Sequence, residues 1–327
     1  MLDPTQLYTR DDGEDAVPAG LGLLVTLTGH LDAGHVGRQL RSALREHLAH
    51  RTVASFDLDQ LHDYRARRPR VRFEHDRYTD LRLPALTVDL MEDLLGRPFL
   101  LLAGPEPDLQ WQRFTAAVLG LAREWAVDTV TFVDAAPLPV PHTRRVGVTT
   151  HGTRTDALEG LSTWSPEADV VAGALQMLEL RAGEAGLNTA GYTVHVPHYV
   201  AEAAYPPGAV AALEYVGAAM GLMMPTDELR DAAREVEAEI ERQVTASPEV
   251  QQMIAGLEKN HDQNAEEQER SLLESAAGLP DGEEIASAVE EYLARRDDSV
   301  RPRTHGNGPT PPAQDNDGPA PSTDRAD

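Results

Sequence analysis

Five side chains in this sequence have types and positions that could do chemistry: Asp32, Glu106, His142, Arg144 and His198. His142 and Arg144 stand in Val140-Pro141-His142-Thr143-Arg144, directly after the apolar run of residues 127–136. A strand that empties into a proline-braced turn puts both side chains at its C-terminal edge, where sites form in open α/β sheets. An arginine there can clamp a carboxylate or phosphate bidentately, and a histidine can move protons near neutral pH. The structural counter-reading pairs Arg144 with Glu106 or Asp134 and so pins adjacent loops.

Glu106 lies between two prolines in Gly104-Pro105-Glu106-Pro107, after the apolar residues 99–103. The prolines fix its direction, which suits an acid/base or ligand-orienting carboxylate and equally a brace to an arginine. Asp32 belongs to Gly29-His30-Leu31-Asp32-Ala33-Gly34, a turn that could cradle an anion at a helix N-terminus. It lacks the spacing of a dinucleotide or P-loop site, so Asp32 reads first as the N-cap of the next helix and second as a ligand contact. His198, in His195-Val196-Pro197-His198-Tyr199, tempts a metal reading. Residues three apart on a strand point to opposite faces, so no metal is expected there. Ser162 and Ser165 fall in a polar stretch with no G-x-S-x-G elbow, and hydrolase chemistry finds no support.

The elements that must position these groups alternate. Residues 21–27 are an aliphatic, β-branched run, and Val36, Leu40, Leu44 and Leu48 then recur every four residues. Strand, glycine-bearing turn and helix open a βαβ unit. Further strands are expected at residues 52–56, 86–88, 99–103, 127–133, 146–150 and 192–196. Helices are expected at 109–126, 170–185 and 209–222. Such alternation predicts an α/β fold, a three-layer sandwich around a largely parallel sheet. The Arg-rich residues 59–80 fit an extended excursion.

Domain boundaries follow from composition. Residues 1–18 are polar and read as a flexible arm, and 19–225 form the core. Residues 226–298 hold 21 acids and 7 bases and read as an acidic helical appendage, with helices starting near Thr226 and Ser247 and a third stripe at Ile285, Val289 and Leu293. Its thin apolar stripe suits a solvated appendage or an arm for a partner. From Ser299 to the end, six prolines and three glycines make a disordered tail.

Composition then narrows the function classes. The net charge of −25 repels phosphate backbones and anionic lipid, so neither nucleic acid nor membrane is an expected partner. With no cysteine, thiol nucleophiles, disulfides and thiolate metal sites are excluded. No apolar run approaches the roughly 20 residues of a membrane helix, and the acidic first residues are unlike a signal peptide, so a cytoplasmic protein is expected. Aromatic residues make up 5%, which leaves packing to Leu, Val and Ala. No cofactor motif is present.

Four ordered blocks resemble the proteasome assembly chaperone-like family, in particular its branch from actinobacteria and archaea. They are Gly29–Gly34 as written above, then Asp63-Tyr64-Arg65 with Arg68-Pro69 and Leu83-Pro84. The third is Gly104–Pro107 with Trp111 and Phe114, and the last joins Val140–Arg144 with Val196-Pro197-His198-Tyr199-Val200. The resemblance spans about residues 20–262. It implies a phosphorylase-like α/β/α sandwich and self-association as a homo-oligomer, plausibly a trimer. It also implies binding to proteasome α-subunits, which some relatives dock through a C-terminal hydrophobic-Tyr-X ending. Here the ending is Thr323-Asp324-Arg325-Ala326-Asp327, which puts that docking mode in question. No catalytic residues come with the family.

Two functions are therefore expected to compete. One is a non-enzymatic, oligomeric interaction protein of the assembly-chaperone kind. The other is a small-ligand binder or enzyme acting on a nucleoside or carboxylate, with Glu106, His142, Arg144 and His198 converging on one pocket at the sheet edge.

Overall fold

The computed structural model describes residues 2–11, 16–154 and 169–277, with side chains to residue 265. The chain divides into two compact units, Met1–Glu267 and Gln268–Asp327; in the second, the described residues continue a helix to Ala277. Ten strands are present among the described residues: β1 (Tyr8–Arg10), β2 (Leu23–Thr28), β3 (His50–Phe56), β4 (Arg70–Glu74), β5 (Arg77–Arg82), β6 (Thr87–Glu92), β7 (Pro98–Pro105), β8 (Thr129–Leu138), β9 (Val148–Gly152) and β10 (Asn188–Pro197). The helices are α1 (Val36–His47), α2 (Leu58–Leu61), α3 (Trp111–Glu124), α4 (Ala174–Glu184), α5 (Pro206–Met220), α6 (Asp227–Ala246) and α7 (Pro248–Ala277).

Eight strands make one sheet in the order β1-β3-β6-β7-β2-β8-β10-β9. Its centre, β7-β2-β8-β10, is parallel, and the antiparallel pairs lie to either side. Side chains alternate across it as a pleated strand requires. Leu23, Val25 and Leu27 of β2, with Leu100 and Leu102 of β7, face the layer of α3 and α4 and pack on Phe114, Leu121 and Leu178. Leu24, Phe99 and Leu101 face α1 and α5 and pack on Leu40, Leu44, Leu213 and Val216. Each such fully buried side chain contributes roughly 1.5–3 kcal/mol against exposure. The expected three-layer α/β sandwich is what forms. Helix α6 lies outside α5, with Ala233 and Ile240 buried and Leu229, Val236 and Val244 packed on the same core.

The amino-terminal residues depart from expectation. Rather than a flexible arm, Pro4–Leu7 is a 3-10 turn capped by Asp3, and β1 extends the sheet against β3. Leu7 is fully buried, and Arg113 of α3 donates to the Asp3 carbonyl at 2.7 and 2.9 Å. A three-residue strand shows no period in a sequence; distant partners create it. The Arg-rich excursion likewise becomes α2 and a separate two-stranded hairpin, β4–β5. The expected stripe at Ile285–Leu293 and the tail after Ser299 lie outside the described residues. No helix among the described residues is long and apolar enough to cross a membrane.

Candidate functional site

Glu106 closes β7 and meets three other segments. Its amide donates to the Thr28 carbonyl at 3.0 Å. Oε2 accepts the His30 amide at 3.0 Å, and Oε1 accepts the Ala174 amide at 2.5 Å. The second bond satisfies an orphan amide at the positive end of α4. A Cβ on Gly29 or Gly173 would come within 2.2 and 2.3 Å of the two carboxylate oxygens, so both glycines exist to let the group in. Its carbonyl accepts Arg67 Nη2 at 2.5 Å, and the same guanidinium reaches Asp108 at 2.7 Å. Asp108 in turn accepts the Asp63 amide at 2.6 Å. The arginine beside Glu106 is thus Arg67; Arg144 is engaged elsewhere.

Asp32 caps, though not from the expected position. It sets off the 3-10 turn Ala33–His35, and the N-cap of α1 is His35 in a left-handed conformation, φ 52°. Asp32 Oδ1 still reaches the Gly37 amide at 2.7 Å, in the first turn of α1. Burial pushes its carboxyl up, and that amide bond offsets part of the rise. Gly34 at φ 63° makes the tight turn possible; a Cβ there would strike Tyr205.

The Val140–Arg144 block is held by segments far away in sequence. Tyr199 Oη accepts the His142 amide at 2.8 Å and lies 2.7 Å from its Nδ1. Burial lowers the His142 pKa, opposed by the carboxylates of Glu241, Glu237 and Glu258. Arg144 is bidentate to Asp262 of α7 at 2.9 and 2.8 Å, and Nη1 reaches Glu258 at 3.1 Å. The pairing of Arg144 with Glu106 or Asp134 is therefore corrected: its partners are acids of α7, which carries them over the loop. Thr143 donates to Glu258 at 2.5 Å. His198 is exposed, and its ring meets Tyr199 edge-on, ring centroids 5.4 Å apart. His195 is buried instead, its Nε2 2.8 Å from Thr149 Oγ1, so the two histidines of that motif part company.

The structure brings His142 and His198 together around Tyr199, while Arg144 is held by Glu258 and Asp262 of α7. Glu106 and Asp32 stand in other networks. Among the described residues no hydrogen bond or ion pair joins Glu106 to His142, Arg144 or His198. Sequence reading missed a buried polar layer beneath α4. Asp134 of β8, 4% exposed, accepts Gln176 Nε2 at 2.6 Å. His151 of β9 bonds Glu179 at 2.7 Å and Thr193 at 3.1 Å. Its ring occupies the space over Gly191, where a Cβ would come within 2.1 Å. Burial pushes the Asp134 carboxyl up to about 6, with Thr193 and His151 partly offsetting it. A cavity of about 10 Å³, the size of one water, lies between His30, Glu106, Asp134 and Gln176. An aspartate inside an apolar strand was the available signal. One exposed trio, Glu46, His47 and Glu228, has ligand-type atoms within 4.8 Å of one another; His47 and Glu228 approach to 3.2 Å as a link between α1 and α6.

The sequence pattern of the PAC2 family matches residues 26–244, most of the chain and all four blocks. The chain belongs to the PAC2 family. Among solved structures, a Corynebacterium glutamicum protein of unknown function is 36% identical with a TM-score of 0.78, over 80% of this chain and 99% of that one. A Mycobacterium tuberculosis protein of unknown function is 38% identical with a TM-score of 0.77, over 82% and 92%. A proteasome-assembly chaperone homologue of Mycobacterium tuberculosis shares the fold at 23% identity and a TM-score of 0.65, over 72% and 100%. Among curated proteins the chain has no match. In this PAC2 protein the first and third blocks meet through Glu106, Asp63 of the second bonds Asp108 within the third, and the two halves of the fourth meet through Tyr199.

Proposed function

We propose that this PAC2 protein works by binding protein surfaces, as a self-associating, assembly-chaperone-like molecule, and that hairpin β4–β5 is its association element. The hairpin carries the reading. Phe73 and Tyr78, paired across its strands with rings 5.2 Å apart, are 61% and 73% exposed. Val71, Leu81 and Leu83 are exposed beside them. An isolated two-stranded hairpin is marginal in water, and aromatic clusters of this kind mark interfaces. Four arginines against three acids on the hairpin, with Arg65, Arg67 and Arg68 just before it, make residues 65–82 basic on a chain of net −25. A basic arm meeting an acidic body makes a head-to-tail contact, which gives a ring where the rotation between copies closes, and a trimer is the smallest ring beyond a pair. Arg67 and Asp108 pin the base of the arm to the Glu106 corner, so the family blocks hold it in position.

Light scattering after size exclusion tests this on the full chain. The wild type should run as a closed multimer, three chains by this reading. Phe73→Ser with Tyr78→Ser should weaken assembly by at least about 100-fold, since each buried aromatic anchor contributes roughly 2 kcal/mol or more. A monomeric wild type, or a double variant that keeps its mass and its circular dichroism, overturns the proposal. The first partner to test beyond self is the proteasome, on the strength of the fold shared with the assembly-chaperone homologue.

A further inference from the structure

We infer that a cleft at the N-terminal edge of the sheet binds a small zwitterion with an apolar body, an amino acid of about leucine size. It lies opposite the edge that holds Glu106 and His142, and it is independent of the hairpin. The cleft encloses about 310 Å³ between the starts of β2, β7 and β8 and the end of α5. That is at the lower end of small-ligand pockets, roughly 300–1,000 Å³. Phe99, Met220 and Leu222 supply apolar wall, and the buried Thr131 supplies one hydroxyl at the floor.

Charges of both signs ring it. Arg97, ion-paired with Asp93, and Arg154, which donates to Thr129 Oγ1 at 3.4 Å, are the cations, and Asp128, which accepts the Thr129 hydroxyl at 3.0 Å, is the anion. Helix α5 also ends here at Gly221, presenting the negative end of its dipole and its last-turn carbonyls. A simple anion would face Asp128 and those carbonyls; a simple cation would face two guanidiniums. A ligand carrying carboxylate and ammonium on adjacent atoms satisfies both sides.

The walls are fastened before any ligand arrives. Asp93, 5% exposed, accepts the amides of Leu95, Arg97 and Met223, each at 2.8 Å. One carboxylate thus ties the β6–β7 turn to the segment after α5, which are two sides of the cleft. It also takes Nε and Nη2 of Arg97, both at 2.9 Å, leaving Nη1 without a partner among the described residues. Gly22 completes the fit, for a Cβ there would come within 2.7 Å of the Met220 methyl.

Calorimetry on the full chain with L-leucine, 4-methylpentanoate and isoamylamine decides the matter. Leucine should bind at least about tenfold more tightly than the analogue lacking its ammonium or the one lacking its carboxylate, as a charged hydrogen bond lost in a cleft requires. Arg154→Gln should weaken leucine by a similar factor, and Thr131→Leu, which fills the floor, should abolish binding. The carbon-13 resonance of the Met220 methyl should move on titration of the wild type, a readout that needs no variant. Absence of heat and of any Met220 shift overturns the inference. So does equal binding of 4-methylpentanoate, or leucine binding unaffected by both substitutions.

Discussion

Glu106 has the placement of a catalytic carboxylate and the bonding of a brace. Both oxygens accept backbone amides, from His30 and Ala174. Glu106→Gln keeps the shape but turns an NH2 toward one of those N–H groups. Hydrogen bonds to charged groups contribute about 1.5–3 kcal/mol each, so urea denaturation should show a loss of about 2 kcal/mol or more. An unchanged midpoint would return the carboxylate to the list of candidates for chemistry. Asp134 makes a different prediction. Its carboxyl, pushed by burial to about 6 from an ordinary 3.8, holds a proton that the unfolded chain releases. Stability from this group therefore falls as pH climbs from about 4 to about 6. Asp134→Asn removes that slope, and relative to wild type it should gain roughly 2–3 kcal/mol between pH 4 and pH 7. His195 works the other way: burial, helped by His261, lowers it to about 4, so its contribution rises over the same window. The two slopes oppose one another in the wild type, and only the difference between variant and parent displays either.

At the scale of elements, α7 illustrates how an apolar stripe and a charged face act together. Ile254 is buried, as its place in the stripe of Val250, Met253 and Leu257 suggests. The polar residues that follow look solvated in the sequence, yet Glu258 and Asp262 hold Thr143 and Arg144. Arg144 holds the Asp262 carboxyl down at about 2, and the two acids raise Arg144 in return. Arg144→Ala should therefore speed amide exchange in α7 near residues 256–263 and in the Val140–Arg144 loop, while β2 and β8 stay protected. Unchanged exchange in α7 would show that Ile254 alone holds the helix. No periodicity could reveal this clasp, because 115 residues separate Thr143 from Glu258.

Hairpin β4–β5, with the arginines just before it, is a basic element of the unit Met1–Glu267 on a chain of net charge −25. If association rests on that contrast, it must weaken with salt, because raising ionic strength from 0.1 to 1 M shortens the screening length from about 10 to about 3 Å. Sedimentation at fixed protein concentration should show the assembled fraction falling over that range. A fraction that holds or grows would assign the interface to apolar contact alone. The charge imbalance was readable from composition; that four of the arginines stand on hairpin β4–β5, with Arg65, Arg67 and Arg68 just before it, was not, since residues 59–80 carry no clear alternation.

Local order was written in the residues. Aliphatic runs at β2, β7 and β8, buried on both faces, and apolar stripes at α1, α3 and α6, buried on one, need no particular partner, so they announce themselves at short range. The four blocks of the PAC2 family could be recognised on the same terms. Which polar groups meet was decided only by the path of the chain. Glu106 finds His30 across 76 positions and Ala174 across 68, and β1 exists because β3 offers it an edge. Hydrogen bonds and ion pairs act over a few ångströms in space and are blind to distance along the chain.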